Sequence, residues 1–228
     1  MLADADLAAV GRILGDAHRA RFVLALLGGQ ELTAGELAAR AGASPPLASA
    51  HLAKLLESGL VGVRQHGRER YYRLANADVA QAIETLLTIA PVRTATGLKN
   101  VTRGRALQRA RTCYDHLAGR LGVGLADAFE QQRIIAPADG GWSLTPEGGR
   151  RLQTLGLDVE ALRGGRRPLL RPCLDWTERR PHMAGQLGRA LAGRLLDQGW
   201  VRRGAASRAV LITPDGERRL LTEFAIKL

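Results

Sequence analysis

The 228-residue chain is poor in the groups that define several large protein classes. It has two cysteines, Cys113 and Cys173, too few for a disulfide scaffold and consistent with a reducing cytoplasm. No run of eighteen apolar residues occurs, so the sequence gives no membrane-spanning helix. Asp4 and Asp6 precede the first basic residue, which argues against a secretory leader. Aromatic residues make up only 4%, yet hydrophobic residues reach 46% and charged residues 24%, a globular balance rather than a disordered one. Lysine is also scarce: of 33 basic residues only Lys54, Lys99 and Lys227 are lysine. The rest are arginine, the better fork for phosphate.

What is abundant is positive charge. The net charge of +11 is uneven, because residues 1–100 contribute eleven basic and nine acidic side chains and the remainder carries the surplus. A polyanionic partner is the first inference from such a balance.

Leu7, Val10, Ile13 and Leu14 recur at helical spacing, and an apolar helix continues from Ala20 to Leu27. Thr33-Ala34-Gly35-Glu36 is a capping box that opens a short helix stopped by Gly42. Ser44 as N-cap and Pro45 at the first helical position start the next helix, which carries Ala48, Leu52, Leu55 and Leu56 to Gly59. Two short helices joined by three residues are a helix-turn-helix signature. Val61 and Val63, then Tyr72 and Leu74, read as the two strands of a hairpin turning at Gly67. Arg64, His66, Arg68 and Arg70 make that hairpin basic, as a wing gripping the DNA backbone would be.

These residues resemble the ArsR/SmtB-type winged helix-turn-helix regulators. The stretch from Leu14 to Arg21 looks like the opening segment of that family. The spacing of Ser44, Ser49, His51, Leu52, Leu55, Gly59, Leu60 and Val61 is similar to its recognition helix and exit. The resemblance covers about residues 5–90. It implies a homodimer built on the first helix and the helix from Asp78 to Ala90, with a recognition helix from each subunit in the major groove of double-stranded DNA. Carried over, Ser44, Pro45, Leu47, Ser49 and His51 face DNA, with Lys54 in reach of phosphates or bases. Pro45, Leu47 and Ala50 stand where the family has polar groups, so direct base readout is thin. His51 serves equally well as a helix-packing histidine. The family's metal positions carry no metal set here. Glu31 to Leu37 offers no thiol or imidazole, and Asp78 to Ala90 offers only Asp78 and Glu84, short of four tetrahedral donors.

Residues 91–104 mix Pro, Gly, Thr and basic side chains without an apolar period and read as a linker. Beyond it the chain repeats itself. His116-Leu-Ala-Gly-Arg-Leu-Gly122 returns as His182-Met-Ala-Gly-Gln-Leu-Gly188, and Thr145-Pro-Glu-Gly148 returns as Thr213-Pro-Asp-Gly216. Each copy reads as an apolar helix, a strand pair and a Thr-capped helix. The expected organisation is therefore a winged helix-turn-helix over 1–90, the linker, and an effector or interface domain over 105–228. That second domain holds two winged-helix-like units, about 113–160 and 173–228. The fold class is mainly α with small β-hairpin wings (α+β).

Both cysteines sit just ahead of the repeated histidines, as Cys113, Asp115, His116 and as Cys173, Asp175, His182. Three readings stand open. Asp and His cap helix N-termini while the cysteines fill the core; or the cysteines form a thiol sensor for an effector; or Cys113, His116, Cys173 and His182 ligate zinc if the two halves meet. The basic tract Arg103 to Arg111 is either a solvated face or a contact to an anion. Together the residues point to a cytoplasmic homodimeric transcriptional repressor that is not an enzyme and responds to an unidentified effector. A thiol enzyme using the Cys/His pairs and a low-specificity architectural DNA-binding protein are the alternatives.

Overall fold

The computed structural model describes residues 5–91, 97–165, 167–204 and 207–228, with only the backbone described for 98–100. The chain divides into two compact units, Met1–Ala80 and Gln81–Leu228. No described helix is long and apolar enough to cross a membrane.

In the first unit, α1 (Leu7–Leu14) is capped by Asp6, whose carboxylate accepts from Ala9 N at 2.9 Å. Helix α2 (Ala17–Leu26) is capped by Asp16, which accepts from His18 N and Arg19 N. After β1 (Leu32–Thr33), α3 (Ala34–Ala41) opens on the Thr33/Glu36 capping box and ends at left-handed Gly42. Helix α4 (Pro45–Glu57) follows; Ser44 occupies its N-cap without making a side-chain capping bond. Strands β2 (Val61–His66) and β3 (Glu69–Leu74) form the hairpin, with β1 added on the far side of β3. Phe22, Leu26, Leu37, Leu52, Leu55, Val61, Tyr72 and Leu74 are buried in this unit, which is a winged helix-turn-helix. Helix α5 (Ala77–Ile89) runs across the division between the units.

The linker expected over 91–104 is shorter than its composition implied. Residues 92–96 lie outside the described residues, but α6 (Leu98–Arg109) is already helical. Its arginines, leucines, alanine and glutamine are good helix formers, and propensity needs no apolar stripe.

The second unit is a repeat of hairpin, helix, hairpin, helix. The first copy comprises β4 (Arg111–Cys113), β5 (His116–Ala118), α7 (Gly119–Gln131), β6 (Ile135–Ala138), β7 (Gly141–Leu144) and α8 (Pro146–Thr154). A short α9 (Val159–Arg163) follows it. The second copy comprises β8 (Arg171–Leu174), β9 (Pro181–Ala184), α10 (Gly185–Asp197), β10 (Val201–Arg203), β11 (Val210–Ile212) and α11 (Pro214–Phe224). Thr145 and Thr213 cap α8 and α11 in the same way. Each copy departs from the winged-helix-like unit expected from its sequence, because a two-stranded hairpin stands where a winged helix has its helix pair.

The copies are exchanged in their packing: α7 lies against β9 and α10 against β5. The repeated glycines permit this. A methyl at Gly122 would meet Leu117 O at 2.4 Å and His182 Cβ at 3.5 Å; at Gly188 it would meet Met183 O at 2.3 Å and His116 Cβ at 3.3 Å. Each glycine thus lets its helix lie directly on a carbonyl of its own copy's strand, with the other copy's histidine packed beside it. Leu117, Leu121, Leu125, Phe129, Leu187, Leu191, Leu195 and Trp200 share one buried cluster.

Candidate nucleic-acid interface and a buried thiol–imidazole cluster

Helix α4 buries the stripe Ala48, His51, Leu52 and Leu55 and exposes its other face. Ser44, Pro45, Leu47, Ser49 and Lys54 are all on the exposed face. Ser49 Oγ donates to Pro45 O at 3.1 Å, which leaves its lone pairs outward. His51 is corrected as a DNA-facing residue: it is only 9% exposed. The periodicity of α4 turns it inward, where its ring stacks on His18 and meets the edge of Phe22. Its Nδ1 lies 3.4 Å from Arg19 NH1 and 3.7 Å from Asp16 Oδ1.

Asp16, His18 and His51 bring ligand-type atoms together, a grouping the sequence reading missed. The position is already filled by a cation. Arg19 NH1 sits beside His51 and 3.9 Å from Asp16, while Arg19 Nε and NH2 donate to Ile13 O and Arg12 O. The backbone amide of Arg19 leads the causes that hold the Asp16 carboxyl below the usual range, ahead of the charges of His51 and Arg19, and together they outweigh the opposing effect of burial.

The β2–β3 hairpin turns through Gly67 and Arg68, with Gly67 at φ 60°. Arg64, His66, Arg68 and Arg70 are exposed. Arg64 is drawn back along the strand to Glu31, 2.9 Å away, and Arg70 lies over the Tyr72 ring at 5.7 Å. Arg68 and His66 form the tip.

The second cluster lies within the second unit. Cys113 and His116 are register partners across β4–β5, and Cys173 and His182 are register partners across β8–β9. All four residues are buried on strands, which corrects the picture of the histidines capping helices: Ala118 and Ala184 occupy the N-cap positions of α7 and α10, while Asp175 does accept from Gly119 N, the first amide of α7. The exchanged packing brings the two pairs together. Cys113 Sγ and Cys173 Sγ are 3.8 Å apart, and His116 Nε2 and His182 Nε2 are 3.1 Å apart. The far ring nitrogens face carboxylates, His116 Nδ1 to Asp115 Oδ1 at 3.3 Å and His182 Nδ1 to Asp175 Oδ2 at 3.4 Å. Asp115 in turn accepts from Arg167 NH1 at 2.7 Å. Asp175 is fully buried beside Arg111, 2.9 Å away and itself fully buried. Asp175 also accepts from Gly119 N, Thr177 N, Thr177 Oγ1 and Glu178 N.

The electrostatics follow from these contacts. The hydrogen bond with Cys173 and then burial push the Cys113 thiol up, and the same bond, assisted by both imidazoles, holds Cys173 well below the thiol range. Burial alone lowers a histidine, but Asp175 and Cys173 outweigh it and raise His182 to about 8. Burial likewise opposes ionisation of Asp175, yet His182 and Arg111 prevail and keep it ionised. Arg111 is a correction to the basic tract read as a solvated face. It is the largest fully buried side chain of the second unit, with its guanidinium 4.8 Å from the Trp176 ring.

A helix-turn-helix domain model matches residues 14–64. The HTH-type transcriptional regulator YdfF of Bacillus subtilis, itself uncharacterized, is 43% identical over 223 residues, covering 98% of this chain and 99% of that protein. The chain belongs to the HTH-type transcriptional regulators. The regulator is also 37% identical over 86 residues to the HTH-type transcriptional regulator CmtR of Mycobacterium tuberculosis, a match covering 38% of this chain and 72% of CmtR. Among solved structures, the transcriptional repressor BigR from Xylella fastidiosa is 33% identical and covers 38% of this chain and 88% of its own, with a TM-score of 0.35. The YdfF match runs through both units, whereas the residues resembling ArsR/SmtB-type regulators lie within the first ninety.

Proposed function

We propose that the regulator is an ArsR-type homodimeric repressor that binds one short near-palindromic operator in the cytoplasm. Its signal input lies in the second unit. The observation that carries the reading is a folded helix-turn-helix whose α4 leaves Leu47, Ser49 and Lys54 outward beside a hairpin tipped by Arg68. A dimer is supported by apolar side chains left in water on the two helices that the family resemblance assigns to dimerisation. Leu7 on α1 is 81% exposed and Ile89 on α5 is 79% exposed, with Val10 and Leu86 also exposed. A thiol enzyme is disfavoured, because a nucleophile must meet its substrate and both thiols are buried.

Footprinting on DNA upstream of the regulator's own gene tests this. Protection of one short near-palindrome is expected; uniform protection indicates an architectural DNA-binding protein and overturns the reading. Arg68→Ala combined with Arg70→Ala should weaken all sequences alike and flatten the salt slope by about one to two units. A double variant with unchanged affinity and altered sequence preference would count against the wing as a backbone clamp.

A further inference from the structure

We propose that Cys113, His116, Cys173 and His182 form a tetrahedral zinc site that joins the two copies of the repeat. The proposal stands independently of the DNA-binding reading.

The geometry is that of a ligand cage. All four ligand atoms lie within 4.8 Å of one another. Bonds of ~2.3 Å to sulfur and ~2.0–2.1 Å to nitrogen at tetrahedral angles place two sulfurs ~3.8 Å apart and two nitrogens ~3.3 Å apart. The observed separations are 3.8 Å for the sulfurs and 3.1 Å for the nitrogens. The sulfur spacing is far beyond a disulfide bond of about 2.05 Å.

The tautomers point the same way. Each Nδ1 faces a carboxylate, Asp115 for His116 and Asp175 for His182, which holds the ring proton on Nδ1. A neutral ring so oriented presents a lone pair at Nε2. Two such lone pairs converge at 3.1 Å in a buried interior, where either a proton on one Nε2 or a cation must lie between them. A cation at the centre turns that convergence into two bonds and neutralises two thiolates. Carboxylate, histidine and metal in line is the usual outer arrangement of zinc sites. The set of two sulfurs and two imidazoles, closed on all sides with Ala118 and Ala184 packed against the thiols, fits zinc rather than an oxygen-seeking ion.

Neither copy can make the site alone. Each hairpin supplies one sulfur and one nitrogen on one face, and the exchange of α7 and α10 completes the set.

The test uses the full chain purified in reductant without chelator. One zinc per chain is expected by elemental analysis, released as an organomercurial titrates two thiols per chain. Cobalt(II) in its place should show the sulfur-to-metal charge transfer and intense visible bands of a tetrahedral S2N2 site. That spectrum reads the site in the unaltered chain, so it holds even where Cys113→Ser or Cys173→Ser fails to fold. Asp115→Asn, which leaves all four ligands in place and changes only the charge facing the outer nitrogen of His116 and Arg167, should retain one zinc but bind it 10–100-fold more weakly in chelator competition. The proposal is overturned if both thiols titrate without metal release and the chain binds zinc no more tightly than the Cys113→Ser variant. It is equally overturned if peroxide joins Cys113 to Cys173 in a chain that never held metal. Operator affinity enters none of these measurements, so failure here leaves the DNA-binding reading untouched.

Discussion

Asp175 shows what a single buried charge does in this molecule. Its carboxylate meets the Arg111 guanidinium, caps the turn at Thr177 and Glu178, accepts from the first amide of α7, and orients His182. Burying such a pair gains little over an apolar substitute, but removing one partner strands the other charge. Asp175→Ala should therefore destabilise the second unit by about 3–5 kcal/mol, measured by denaturant unfolding, and a loss below 1 kcal/mol would mean that Arg111 finds water. Asp175 was legible as part of a Cys-Asp-His cluster, but Arg111 was not. It closes a run of arginines that reads as a solvated face. The signal was in the repeat: Arg111-Thr-Cys113 matches Arg171-Pro-Cys173, so Arg111 belongs to the hairpin and not to the tract.

At the scale of elements, the first unit could be read almost completely because each boundary carries its own chemistry. Aspartate caps α1 and α2, a capping box opens α3, Gly42 closes it, and Gly67 turns the hairpin. The motif from Leu14 to Arg21 proves to be architecture: Asp16 caps α2, Arg19 satisfies carbonyls at the end of α1, and Arg21 donates to Ala41 O at the end of α3. Asp16→Ala should cost about 1–2 kcal/mol of stability, since it removes the cap together with the carboxylate beside Arg19 and His51. Thermal unfolding checks this, and an unchanged midpoint would place the cap's work elsewhere. His51 could have been assigned to the core, because it shares the Ala48, Leu52, Leu55 stripe.

The second unit hid its hairpins for a physical reason. Strands of three residues are too short for alternation to register, and Cys113 to His116 at i, i+3 fits one face of a helix as well as a tight turn. The second copy resolves the ambiguity. Cys173 and His182 are nine residues apart, which one helix face tolerates poorly, whereas antiparallel strands pair residues at either spacing across a short or a longer loop.

For the whole molecule, the two units differ in what holds them. The first relies on caps and a small apolar core, while the second encloses a polar cluster whose four ligand groups come from both copies of its repeat. If zinc fills that cluster, its binding free energy is folding free energy for the second unit alone. The sequence provides a separate probe for each. Trp142, Trp176 and Trp200 all fall in the second unit, so tryptophan fluorescence reports its unfolding, while circular dichroism reports helices in both. A ligand at a thousandfold excess over its Kd stabilises by about 4 kcal/mol, and a unit of this size moves by roughly 2–4 °C per kcal/mol. Stripping metal with a chelator should therefore lower the fluorescence midpoint by about 10 °C. The part of the helical signal that belongs to the winged helix should melt where it did before. Readdition of zinc should restore the fluorescence midpoint, and the Cys113→Ser variant should start low and respond to neither. A chelator that lowers both transitions equally would mean that the two units fold as one cooperative body, and one that lowers neither would mean that the buried thiols and imidazoles are held by packing alone.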